Sequence, residues 1–527
     1  MAHRYDAVVV GAGPNGLVAA NLLVDAGWSV VVLEEQPEPG GAVRSAADHP
    51  APGYTADLFS AFYPLAAASP VLAAMRLDEH GLAWEHAPLV LGHAFDDGRA
   101  VVLSRDLEVT TASVAEFAAG DGDAWRGWVR RWQEVEQPAL DALLRPFPPV
   151  RPALSMARRL GPARALRTAR LGVLPTRTFV REEFRGEGAA LLVAGNAMHT
   201  DLAPESASSA VYGVLLAMLG QTRGFPVPRG GAGRLTDALV SRLRSRGGEL
   251  RCGAAVRSVL IGADAAEGVE LAGGERLAAG CVLADVPAPQ LYRDLVGEAR
   301  LPERLRRDLD RFHWDSGTVK VNWALSAPIP WRSPSLAGAG TVHLGGGLDD
   351  LTRVAADLAT GRVPERPFVL LGQMTTADQT RSPAGTESVW AYAHLPHGDH
   401  PPEVVAGFAD RIEAEVERAA PGFRDLVVGR SVQAPGGLQD ADRALDGGAL
   451  GGGTSAVHQQ LVFRPTPGLG RPDTFVPGLF LAGSSAHPGG GVHGACGANA
   501  ARAALLRAKV GRRAYDNVVG WAQRRLG

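Results

Sequence analysis

Cysteine is scarce in this chain of 527 residues: Cys252, Cys281 and Cys496 stand far apart, and no C-x-x-C pair exists. That spacing signals neither a redox dithiol nor a zinc site, so no metal is expected, and a sparse, odd set fits a reducing compartment. Lysine is scarcer still. The 53 basic residues include two lysines, Lys320 and Lys509. Neither charge sign prevails, with 56 acidic residues and a net charge of -3, so no footprint for nucleic acid is present. No apolar run is long enough to cross a bilayer. The first strand pattern begins near residue 6, which leaves no room for a secretory leader. The expected location is cytoplasmic. Peripheral membrane contact stays open, because residues 145–170 are strongly basic and punctuated by proline, although a solvated face has the same composition.

Apolar and small residues are plentiful. Hydrophobic residues make up 46% of a chain long enough for two or three domains. The stretch DAVVVGAGPNGLVAANLLVDAGWSVVVLEE, Asp6 to Glu35, is organised from its first residues. Val8–Val10 form an apolar run, as in a strand buried on both faces. Gly11, Gly13 and Gly16 follow, Pro14 suits the first turn of a helix, and Gly27 suits its end. A second apolar run, 30–33, ends in Glu34. The first glycine permits a tight turn, the second close approach of a pyrophosphate, and the third close helix–strand packing. Glu34 is placed to accept hydrogen bonds from ribose hydroxyls; a shift of one residue would give Glu35 that place. A dinucleotide handle is predicted.

Further along, 95–220 read as mostly helical. Trp125, Trp128 and Trp132 fall on one helical face, as core packing or as surface anchors. Residues 229–260 give a glycine turn, an amphipathic helix and a strand, and the next apolar strand ends at Asp285. Residues 315–325 alternate like a half-buried strand. GGALGGGTSA, 447–456, reads as a flexible loop and not a second dinucleotide site, because no apolar strand precedes it. Residues 479–482 form a short strand closed by Gly483. A helix is predicted from about Val492, with small residues in its first turns for a flat ligand and a dipole that favours negative charge.

These pieces resemble a phytoene desaturase-type FAD oxidoreductase of the flavin amine oxidase superfamily. The nearest branch contains the pyridine nucleotide-disulfide oxidoreductase domain-containing protein 2 type and bacterial carotenoid ketolases. The carriers are VVVGAGPNGLVAA, EPGGAV, PGYTADLFSAFY, GGAGRLTDALVSRLRSRGGELRCGAAVRSV, VLADVPAPQLY and LFLAGSSAHPGGGVHGACGANAA. The resemblance implies an α/β fold: a discontinuous Rossmann-type FAD-binding domain (1–90, 225–292 and 470–527) with an inserted α+β substrate domain (91–224 and 293–469) that carries a helical subdomain. Its FAD contacts map to Gly11, Gly13, Gly16, Glu34, Gly40 and Gly41. Val256 matches the adenine-side backbone contact, and Gly483 and Val492 match the contacts to pyrophosphate and flavin ring. Arg44 is a candidate neighbour of phosphate or flavin, or a surface arginine.

The implied reaction is hydride removal from carbon of a large lipophilic substrate, with oxygen, a quinone or another acceptor taking the electrons. Stable binding of NAD(P)H is not expected, because one dinucleotide fingerprint is visible. His487 is the candidate general base on the strength of an ordinary pKa near neutrality, or else a brace for its loop. Lys320 resembles the lysine that holds a water near the flavin in amine oxidases, or else is an exposed strand lysine. Three rivals stay open: an amine oxidase, disfavoured because HPGGGVHGACG has no aromatic residue; a redox-neutral isomerase; and a non-enzymatic binding protein like the GDP dissociation inhibitors.

Overall fold

The structure is a computed structural model and describes residues 4–263, 265–468 and 470–526. The chain crosses repeatedly between two seven-stranded sheets. It starts in the first sheet with β1 (Arg4–Val10) and β2 (Val30–Leu33). A hairpin of β3 (Ser45–Ala47) and β4 (Thr55–Asp57) and a short β5 (Trp84–Glu85) lead to the second sheet at β6 (Leu89–Ala94) and β7 (Ala100–Leu103). After a helical stretch, β8 (Val227–Pro228) pairs with β5. Then β9 (Glu249–Arg251), β10 (Val256–Ile261), β11 (Ala266–Leu271) and β12 (Arg276–Ala284) return to the first sheet. The second sheet is completed by β13 (Gly317–Leu325), β14 (Ala339–Leu344), β15 (Val369–Gln373), β16 (Glu387–Leu395) and β17 (Val427–Gln433). The chain re-enters the first sheet at β18 (Leu479–Leu481).

In the first sheet β1 lies parallel between β12 and β2, β2 lies parallel to β9, and β18 lies parallel to β12. Val8, Val9, Val31 and Val32 are buried, as apolar runs in a doubly covered sheet require. One face packs on the Pro14–Asp25 helix (α1), the Gly233–Ser245 helix and the Ala495–Val510 helix. The second sheet runs β17-β13-β16-β15-β14-β6-β7, antiparallel except for β14 and β6.

Three local expectations change. Residues 317–325 alternate in chemistry but are buried throughout, because β13 is an interior strand with both faces covered. Its apolar side chains meet the Pro402–Ala419 helix, and its polar ones, Thr318, Lys320 and Asn322, are buried on the other face. The 447–456 segment is fixed rather than flexible. Asp315 accepts the amides of Leu450, Gly451 and Gly453, and Gly452, Gly453 and Thr454 are buried. The helix after Gly483 starts at Ala495, not near Val492. Glycines at positive φ and Val492 at φ 54° form a turn ahead of it, and Gly494 is its N-cap.

The segment from 95 onward is helical after β7, with six helices between Leu107 and Thr222. The tryptophan stripe is core: Trp125 and Trp132 are buried, and Trp128 packs edge-on against Phe179 at 4.9 Å. Among the described residues no helix is long and apolar enough to cross a membrane.

Candidate active site

Three glycine turns meet at one place. Gly11, at φ 90°, ends β1, and a Cβ there would lie 2.7 Å from the Asp285 carbonyl oxygen; one at Gly13 would lie 2.7 Å from Asp285 Oδ2. At Gly16 it would collide with the Gly11 carbonyl. The Gly40 amide donates to the Ala12 carbonyl at 2.9 Å, and a Cβ on Gly41 would approach the Gly13 Cα to 3.2 Å. On the opposite side Gly497 packs so tightly on the Asn15 carbonyl that no side chain fits. The N-termini of α1 and the Ala495–Val510 helix therefore converge, each with backbone N–H groups unsatisfied within its own helix.

Acidic side chains fix these turns. Glu34 is buried and accepts the amides of Ala12 at 2.8 Å and Gln36 at 2.9 Å; burial pushes its carboxyl pKa up. Glu35 points elsewhere, 3.6 Å from Arg443, so Glu34 holds the inward position. Asp285, at the end of β12, accepts the Gly16 amide at 2.7 Å, and burial raises its pKa to about 7. It therefore carries a proton for part of the time near neutral pH, which lessens its charge against an anionic ligand. Sequence reading marked Asp285 as a strand end and missed this role; its distance along the chain from the glycine turn hid it.

Gly483 follows β18, where a Cβ would meet the Val286 carbonyl at 2.6 Å. Val256 is half-buried at the start of β10, just after Ala254, whose amide donates to the Glu34 carbonyl at 2.8 Å. A cavity of about 370 Å³ opens beside it, lined by Glu35, Gln36, Ala255 and Arg443 among others. Arg44 is half-buried, not a loose surface arginine. It donates to the carbonyls of Gly41 at 3.0 Å and Ala441 at 2.7 Å and lies over the Phe59 ring. A larger cleft of about 960 Å³, between residues 464–481 and the Arg512–Leu526 helix, includes none of the three glycine turns.

Lys320 is buried, which rules out the exposed strand lysine. Its ammonium donates to the Asp57 carbonyl and stands 5.8 Å from the Trp390 ring centroid. Burial lowers its pKa to about 7, with the Asp57 carboxylate opposing and Arg381 adding to the fall. Arg381 is itself fully buried between Asp57 at 3.0 Å and Asp378 at 2.9 Å. Asp57 Oδ1 also accepts the Ala232 amide at 2.7 Å and the Ser45 hydroxyl. This network ties Lys320 to the loop that follows the Gly40–Gly41 turn.

His487 is buried, and its Nε2 lies 3.0 Å from the Arg145 carbonyl, which requires Nε2 to carry the proton. Nδ1 is left with no partner among the described residues. Burial lowers the pKa to about 4, so the ring is neutral at pH 7. The expected near-neutral pKa is corrected: the ring lies in a dry packing site, where the charged form is disfavoured. His493 is buried too and accepts the Ala495 amide at 3.0 Å. Arg464, also missed, is buried and donates to the carbonyls of Gly451 and Ser484 at 2.8 Å and Thr454 at 3.1 Å. It locks the 451–454 loop against the loop after β18.

The residues fit a dinucleotide such as FAD: side-chain-free turns, two converging helix N-termini, and a buried Asn15 Oδ1 with no protein partner among the described residues. A family model described as "Flavin containing amine oxidoreductase" matches residues 15–382. The chain is 28% identical to the pyridine nucleotide-disulfide oxidoreductase domain-containing protein 2 of Rattus norvegicus, over 94% of this chain and 93% of that one. It is 30% identical to the hydroxyneurosporene desaturase of Cereibacter sphaeroides, over 92% and 94% of the two chains. The fold is similar to that of an oxidoreductase from Methanosarcina mazei, with a TM-score of 0.62 at 16% identity, covering 95% of this chain and 99% of that one.

Proposed function

Because the chain belongs to the flavin-containing amine oxidoreductase family and is an FAD-dependent oxidoreductase, we propose that it takes hydride from carbon on a large, mostly apolar substrate of isoprenoid or polyketide type. The observation that carries the reading is the buried Lys320, held by Asp57 on the second sheet beside the loop that follows the glycine turns. FAD, when bound, supplies the hydride acceptor. Gly11, Gly13, Gly16, Gly40, Gly41 and Gly483 would hold it by close backbone approach, Glu34 and Val256 would serve the adenosine part, and Arg44 and Val492 the flavin part. Lys320, partly neutral near pH 7, would hold a water for the reacting carbon. His487 braces the turn before the Ala495–Val510 helix against Arg145, and Arg464 fixes the facing loop.

In this reading residues 1–90, 225–292 and 470–527 hold FAD, with β6 crossing the first boundary, and 91–224 with 293–469 hold the substrate. The relative named for desaturating hydroxyneurosporene supports a lipophilic ligand. A second reading, amine oxidation, is favoured by one observation: Trp390 and Tyr392 stack at 5.8 Å beside Lys320 and offer faces to an amine. Product mass separates desaturation from isomerisation. A product lighter by two hydrogens supports the proposal, and a product of unchanged mass, formed without net reduction of an acceptor, supports the isomerase.

A further inference from the structure

One face of the second sheet carries a row that starts at Lys320 and continues into histidines that the chemistry above does not use. Directly paired residues run Lys320–Tyr392–Leu370–His343–His93 across β13, β16, β15, β14 and β6. Directly opposite residues share a face. His394, two residues after Tyr392, shares it and packs edge-on against Tyr392 at 5.4 Å. His199, just beyond the Glu187–Ala197 helix, hydrogen-bonds His343 between their Nε2 atoms at 3.0 Å. His93 Nε2 donates to the Gly346 carbonyl at 2.9 Å.

Four histidines on one interior face cost folding energy unless something uses them. His394 Nε2 has no partner among the described residues, and neither have Nδ1 of His343 or of His93. Each orphaned buried group carries a desolvation penalty. The His343 Nδ1 is shut off by close packing on Gly195. The other edge of the row is open: His199, Tyr392 and His394 keep partial exposure, while their surroundings push His199 down to about 3, His394 down and Tyr392 up. No hydrogen bond to a described residue engages the Tyr392 hydroxyl.

We propose that His199, Tyr392 and His394 form a subsite for an uncharged oxygen function, a hydroxyl or carbonyl, on an otherwise apolar substrate. The site deepens the lipophilic-substrate reading above and rests on it. These histidines are neutral at pH 7, and the cation alongside, Lys320 opposite Tyr392, is partly neutral near pH 7 and already donates to the Asp57 carbonyl; Asp201 near His394 adds negative charge and disfavours an anion further. A metal ion does not fit, since among the described residues no group of three or more His, Cys, Asp or Glu side chains is arranged to hold one. His394 is the diagonal cross-strand neighbour of Lys320, about 8 Å away. The oxygen therefore sits a few carbons from the position presented beside Lys320 and sets the register of the substrate.

Trp390, stacked on Tyr392, supplies a readout independent of turnover. The part of the tryptophan fluorescence quenching that is lost in Trp390→Phe, among ten tryptophans, is titrated in the flavin-loaded protein with geranylgeraniol and with the C20 hydrocarbon that lacks only the hydroxyl. Wild type is expected to bind the alcohol about tenfold more tightly, the contribution of one neutral hydrogen bond in a dry site. His394→Leu and Tyr392→Phe should each bring the ratio toward one while the hydrocarbon affinity stays within about twofold, and His394→Gln should restore part of the preference. Equal, tight binding of both probes by wild type would overturn the subsite and leave the lipophilic reading standing. Failure to bind either probe would overturn both. A preference unchanged in His394→Leu and Tyr392→Phe would also overturn the subsite.

Discussion

The glycine turns of the first sheet and the polar face of the second are both interior, yet they are specified in opposite ways. At Gly11, Gly13, Gly16, Gly41 and Gly497 the sequence records what must not be there, because a Cβ would meet backbone or Asp285. On and beside the second sheet it records what must be there despite the cost: Lys320, His343 and His394 on its strands and Arg381 in the segment before β16. Forbidden side chains leave a compact sequence signature at fixed spacing. Costly side chains are scattered over the chain and meet only through strand pairing. A cradle specified by exclusion should fail by losing its ligand, and a face specified by retention should fail through stability and pH.

The largest effect is expected where exclusion is tightest. Gly13→Leu places a side chain on Asp285 Oδ2 and between the backbone and its ligand; the purified protein should carry almost no flavin, read as the ratio of flavin to protein absorbance. A full flavin complement in that variant would misplace the cradle and dissolve the contrast.

Beside the second sheet, Arg381→Met leaves Asp57 and Asp378 buried without their shared cation. A loss of about 3–5 kcal/mol is expected, measured by denaturant unfolding of the flavin-loaded protein. Lys320→Met should act in the opposite sense. The native pKa of about 7 lies below the unfolded value of about 10.4, so between these values the unfolded chain binds more protons and stability rises with pH. The cost of charging Lys320 beside Arg381 is fully present below pH 7 and relieved toward pH 10. The Met variant should therefore be more stable than wild type by about 1–4 kcal/mol at pH 6, with the difference shrinking as pH rises. It should also lose any inflection near pH 7 in the rate of flavin reduction.

The smallest effect belongs to His487. With its pKa near 4 and its Nε2 on the Arg145 carbonyl, His487→Ala should keep FAD and lose about 1 kcal/mol of stability. His487→Asn, which can still donate to that carbonyl, should recover most of it. A fall in turnover of about a hundredfold with stability unchanged would instead give the ring acid–base work.

What was legible in the sequence divides along the same line. The handle from β1 through Glu34, the Gly40–Gly41 turn and the strand before Gly483 could be read directly, since local spacing specifies them. The family and the cofactor followed from these stretches. The fixed 447–456 loop was not legible, because Asp315 and Arg464, which hold it, lie outside it. Lys320 was noticed for its rarity, but its burial depends on β16 and β17 pairing on either side. The histidine row is invisible in one dimension: His93, His199, His343 and His394 become neighbours only in the folded sheet.

The account turns on a flavin cradle that serves a lipophilic ligand on the second sheet. The most direct test is anaerobic rapid mixing of flavin-loaded wild type with a panel of lipophilic polyenes and polyketides and with small amines such as putrescine, following loss of oxidised-flavin absorbance. At least one apolar compound should bleach the flavin in a saturable way while the small amines leave it oxidised. Saturable bleaching by a small amine, with none by any apolar compound, would contradict the account.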